Sequence, residues 1–93
     1  MRYTLQNPVR SDGLFLTEVV LRTPTKKDQR AVLDAAAELA RERGREPTTS
    51  QKFALMIAQL ADLPRSAITK LAVRDAQILA GHAVRLFAER GMP

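Results

Sequence analysis

The stretch "LRTPTKKD" (residues 21–28) decides how the chain folds. It follows the apolar and β-branched run "LFLTEVVLR" (residues 14–22) and precedes a long segment with helical spacing. By charge alone it is a basic patch; by position it is a joint where a strand becomes a helix. Thr23 before Pro24 is one start signal, an N-cap followed by proline at the first helical position. Thr25 with Asp28 three residues on is another, a capping box with Asp for the usual Glu. Either way Leu21 ends a strand, Asp28 lies near the positive end of a helix, and Arg22 is placed to pair with Asp28 across the joint. Lys26 and Lys27 fall in the first helical turn, where positive charge is slightly unfavourable. They are therefore free to meet an acidic partner.

Upstream, residues 3–9 ("YTLQNPV") alternate Tyr3, Leu5 and Val9 against Thr4 and Gln6, the pattern of a half-buried strand. Pro8 has no N–H to donate, which keeps this strand from the centre of a sheet. Asp12-Gly13 between two apolar runs signals a hairpin. A three-residue loop, Ser11-Asp12-Gly13 with Gly13 left-handed, pairs Val9 with Phe15, Leu5 with Val19 and Tyr3 with Leu21. A two-residue loop sets Tyr3 opposite Arg22 and Asn7 opposite Glu18. The first register gathers the large apolar residues on one face and is favoured. The other face then carries Leu16, Glu18, Val20 and Arg22.

Downstream, the first helix runs to about Arg43, with Val32, Leu33, Ala36, Leu39 and Ala40 as its apolar stripe and Arg30, Asp34, Glu38 and Arg41 toward water. Gly44 caps it and Pro47 follows. Thr48 with Gln51 opens a second helix through another capping box. From Phe53 to Leu63 that helix is apolar almost all round, the mark of a central element. Leu55 is the exception, falling among Gln51, Gln59 and Asp62. "LPRSAITKL" (residues 63–71) holds a short helical turn after Pro64. The last helix spans about Val73 to Arg90, with Val73, Ala76, Leu79, Ala80, Ala83, Val84 and Phe87 inward. Arg74, Gln77, His82, Arg85 and Glu89 form its polar face, with Ile78 among them.

The fold class is therefore α+β: an N-terminal two-stranded antiparallel hairpin, three main α-helices and a short helical turn. At 93 residues the chain reads as a single domain (1–93), with the hairpin in 1–23 and the helical part in 24–93. The chain contains no cysteine, which excludes disulfides and thiolate metal sites. No apolar run is long enough to span a membrane. The N-terminus lacks the apolar core of a signal peptide, so a cytoplasmic location is expected.

His82 is the sole histidine and has no evident partner, and the serines sit in turns or caps. No nucleophile elbow, phosphate-binding glycine loop or paired-carboxylate motif is present. Neither an enzyme nor a cofactor is expected. The formal net charge of +5 raises a nucleic-acid-binding alternative, that of a small basic regulatory protein. Six basic and three acidic residues fall in 1–30, three and four in 31–46, and six and three in 47–93, so the charge is spread rather than focused. The second and last main helices are also separated by about ten residues, longer than a helix-turn-helix turn.

Four apolar residues fall outside the expected core: Leu16 and Val20 on the outer hairpin face, Leu55 and Ile78 on helices. Together with Lys26 and Lys27 they are the candidate partner-binding residues. A two-stranded hairpin with open edges and a half-apolar back invites coverage by another chain, a second copy or a protein client.

The order of these features resembles the small tail assembly chaperones of contractile-tailed bacteriophages and prophages. The resemblance covers nearly the whole chain and rests on Pro8, Gly13, Leu21-Arg22-x-Pro24, Asp28, Leu60, Leu63, Ile68, Leu71 and Asp75. Ala72 stands where a capping Ser or Thr would partner Asp75, leaving half a capping box. The resemblance implies non-enzymatic work in the host cytoplasm: association with the helical, apolar tape-measure protein, which is kept soluble until tail tube subunits polymerise around it. It also implies absence from the finished virion.

Overall fold

A computed structural model describes residues 1–11 and 13–89. Strands β1 (Arg2–Ser11) and β2 (Leu14–Val20) pair antiparallel and are followed by helices α1 (Lys26–Arg43), α2 (Thr49–Ala61), α3 (Arg65–Ile68) and α4 (Val73–Glu89). This is the expected α+β order of a hairpin followed by helices. Asp12 of the expected turn and Arg90, the expected end of the last helix, lie outside the described residues.

The hairpin register differs from the expected one. Ser11 pairs with Leu14, Arg10 with Phe15 and Val9 with Leu16, while Tyr3 pairs with Val19 and Arg2 with Val20. The tight turn, with Gly13 at φ 83°, therefore replaces the three-residue loop. Between the two paired segments β1 advances five residues, from Thr4 to Val9, while β2 advances two, from Leu16 to Glu18. The three extra residues form a bulge around Gln6, Asn7 and Pro8, where Pro8 leaves no ladder donor unpaired. An uninterrupted ladder forces a choice between a tight turn and an inward-facing Tyr3/Val19 pair. The bulge permits both. Its consequence is that Phe15 turns outward, 59% exposed, with the Arg10 guanidinium 5.3 Å from its ring centroid. Leu16 turns inward against the core.

The bulge is held by Asp75, in the first turn of α4 and fully buried. The backbone N–H groups of Gln6 and Asn7 donate to its carboxylate, each at 3.1 Å, and the Tyr3 hydroxyl donates at 2.7 Å. Ala72 offers no hydroxyl to complete a capping box, and the Asp75 acceptors are turned to β1. Burial pushes its pKa up, but the hydrogen bonds from Gln6, Tyr3 and Asn7 outweigh that cost and leave it below the usual range. The Tyr3 phenol is raised, first by its hydrogen bond to Asp75, then by desolvation and the carboxylate charge.

The main apolar cluster joins Leu5, Val9, Val19 and Leu21 of the hairpin side to Ile57, Leu60, Ile68, Leu71, Leu79, Ala80, Ala83 and Phe87. Helix α2 is central, packing on α4, α1, α3 and β2. In α4, Val73 and Val84 are exposed rather than inward, 73% and 41%. The face that turns Asp75 and Leu79 inward rotates both valines toward solvent.

Tyr3 is the only tyrosine and the chain has no tryptophan, so ultraviolet absorbance titrates this contact alone. Its midpoint should lie above the ordinary value near ~10 and return toward it in Asp75→Ala. That variant should also lose about 2–4 kcal/mol of unfolding free energy, because the Tyr3, Gln6 and Asn7 donors lose the charged acceptor that holds the bulge.

Candidate functional site

The strand-to-helix joint resolves in favour of the second start signal. Thr25 is the N-cap of α1: Asp28 N–H donates to Thr25 Oγ1 at 3.3 Å, and Thr25 N–H donates back to Asp28 Oδ2 at 2.8 Å. Pro24 thus precedes the cap and is buried in the joint rather than opening the helix. Arg22 donates to Asp28 through both terminal nitrogens, at 2.6 and 2.8 Å. The same guanidinium reaches Asp62 at 3.1 Å and the Gln59 carbonyl at 3.1 Å, while the Arg22 backbone N–H donates to the Leu60 carbonyl at 3.1 Å. Arg22 therefore caps the carbonyl end of α2, where a cation suits the helix dipole, while the Asp28 carboxylate it holds supplies the favourable negative charge at the amide end of α1. Gln59 adds a hydrogen bond to Asp28 at 2.9 Å.

Asp62 ends α2 in the left-handed region at φ 55°, a conformation that costs a non-glycine residue about 1 kcal/mol. Its contact with Arg22 helps to hold it there. The Arg22 guanidinium keeps the Asp28 carboxyl far below the usual range against the opposing pull of burial, with Gln59 and Thr25 assisting. Arg22 is raised in turn, by Asp28 first and then Asp62.

The six candidate partner-binding residues are not gathered in one place. Lys26 and Lys27 are exposed in the first turn of α1, Val20 is 48% exposed on the outer sheet face, and Ile78 is half-buried on α4. Leu16 packs against the core. Leu55 is buried, which corrects the expectation that it lies outside the core. Within the polar stripe Gln51-Leu55-Gln59-Asp62, the middle turns to the joint, while Asp62 stays exposed and Gln51 lines the edge of a groove toward α3 and α4. Gln59 and Asp62 are spent on Asp28 and Arg22, and Leu55 sits one turn behind Gln59.

Two apolar grooves flank α2 instead, and none of the six residues lines either of them. The first, of about 450 Å³, lies between α1, α2 and the end of α4, lined by Val32, Leu33, Ala36, Ala40, Met56 and Phe87 among others. It exists because the principal contact of α1 is with α2 alone. Of the α1 stripe expected to face inward, only Leu39 is buried; Leu33 is 60% exposed. The width of that stripe, five apolar positions of which two are alanine, is the signal in the sequence. The second groove, of about 370 Å³, lies between α2, α3 and the start of α4.

No helix among the described residues is long and apolar enough to cross a membrane, and no group of three or more His, Asp or Glu side chains is placed to hold a metal ion. Both grooves offer apolar surface. Over residues 2–88 the chain matches the family described as phage tail assembly chaperone proteins, E, or 41 or 14. It belongs to that family, whose work is non-enzymatic, and its partners are tail components. No curated protein and no solved structure matches the chain.

Because Asp28 and Asp75 titrate below their unfolded values, the unfolded chain binds more protons in acid. Stability should be complete above about pH 5 and fall as pH drops further, seen as a declining thermal midpoint. Asp28→Asn should start less stable and show a shallower acid slope. Arg22→Lys should cost about 2 kcal/mol, since an ammonium cannot fork onto Asp28 while also reaching Asp62 and Gln59.

Proposed function

We propose that this chain is the soluble-phase keeper of the tape-measure protein, holding an apolar helical stretch of it in the α1–α2–α4 groove until tail tube subunits displace the chaperone. The observation that carries the reading is the open stripe of α1. Leu33 stands exposed beside Ala36, Ala37 and Ala40, whose small side chains let a second helix approach closely. A shallow apolar groove suits a holdase, which must shield its client and then release it. Membership of the tail assembly chaperone family supports the choice of client.

Lys26 and Lys27 extend the surface at the start of α1, where they meet acidic side chains beside the apolar stripe of the client. Val20 and Ile78 are secondary contacts, outside the groove. On this reading the protein acts in the cytoplasm of the bacterial host and leaves before the virion is complete.

Co-expression with the tape-measure protein tests the proposal. The client should move from the insoluble to the soluble fraction with the wild-type chain and remain insoluble with Leu33→Asp, while the variant keeps its thermal midpoint. Equal insolubility of the client with and without the wild-type chain would refute the reading. Val20→Ser should weaken the effect only slightly.

A further inference from the structure

The groove between α2, α3 and the start of α4 differs from the first in its charge. Its floor is apolar, with Phe53, Ile57, Ile68, Leu71 and Ala76, and Val73 stands at its edge 73% exposed. Two exposed cations adjoin its lining in sequence: Lys70 lies between the lining residues Thr69 and Leu71, and Arg74 follows the lining residue Val73. Within residues 47–88 the carboxylates are Asp62, engaged by Arg22, and Asp75, buried under Tyr3, Gln6 and Asn7. Among the described residues Arg65, Lys70 and Arg74 make no ion pair. The first groove has no such bias, since its lining carries Glu46 together with Lys52.

We propose that this second groove is a separate docking site for an amphipathic helix whose apolar stripe is flanked by acidic residues. The apolar floor takes the stripe, as a helix-in-groove contact does, and Lys70 and Arg74 meet the flanking carboxylates, setting the sign of the partner. A bare polyanion such as duplex DNA satisfies the cations but leaves the floor and Val73 uncovered, so the observations favour a protein helix. The inference goes beyond the tape-measure reading and does not depend on it.

Fluorescence anisotropy with the purified chain tests it, using two labelled peptides of about 18 residues that share one leucine stripe. One carries glutamates beside the stripe, the other lysines, and a duplex DNA of about 20 base pairs is the third probe. The glutamate peptide should bind at least about tenfold more tightly than the lysine peptide, with the preference shrinking as salt rises. Lys70→Glu combined with Arg74→Glu should reverse it. Val73→Ser should weaken glutamate-peptide binding without moving the thermal midpoint, because the side chain is exposed. Leu33→Asp should leave peptide binding intact, which separates this site from the tape-measure groove. Equal affinity for both peptides, binding of neither, indifference to the charge reversal, loss in Leu33→Asp, or tighter binding of the DNA would each overturn the proposal.

Discussion

The forked contact between Arg22 and Asp28 is the constraint on which the rest of the structure depends. A two-stranded hairpin is at best marginally stable by itself, and a helix start leaves donors unsatisfied. Arg22 lies just beyond β2, and its guanidinium and backbone N–H bring the hairpin, the start of α1 and the end of α2 to one point. Asp28 accepts from Arg22, Thr25 and Gln59 while almost wholly buried, so its charge is compensated on every side. Remove that point and α1 keeps mainly its contact along α2.

Asp75 plays the matching part at the other end of the hairpin. A bulged strand exposes backbone donors that no ladder can take, and a buried carboxylate on α4 takes them. Two aspartates therefore fix the hairpin at the joint and at the bulge. Most residues that carry the family resemblance belong to this framework: Leu21, Pro24, Asp28, Leu60, Ile68, Leu71 and Asp75 are all buried. They make the fold and are not available to touch a client. Polar fastening of α1 at its N-terminus also explains how its apolar stripe can stay open. A helix held only by hydrophobic contact would need that stripe covered, whereas this one leaves Leu33 to solvent.

Much of this was legible in local sequence. The capping box at Thr48, the cap at Gly44 and the turn after Pro64 stand as expected, and the box at Thr25 is one of the two start signals read there, because each depends on residues within four positions of one another. The Arg22–Asp28 pair was also within reach, six residues apart. What failed required knowledge of a partner distant in sequence. The register turned on a bulge stabilised from α4, some 70 positions away. Leu55 was assigned to a solvent face because its polar neighbours gave no sign that they bonded to the joint. Val73, Val84 and Leu33 carried an apolar period, but periodicity does not say how wide a face the neighbouring elements cover.

The sequence by itself determined the elements, their order and the chain's family, since these rest on short-range sterics, hydrogen bonds and the spacing of apolar residues. Only the tertiary structure decided the faces: which stripe is covered, which is left as a groove, and which aspartate holds which strand. Those outcomes are set by packing between elements far apart in the chain, where burial and long-range hydrogen bonds outweigh local preference.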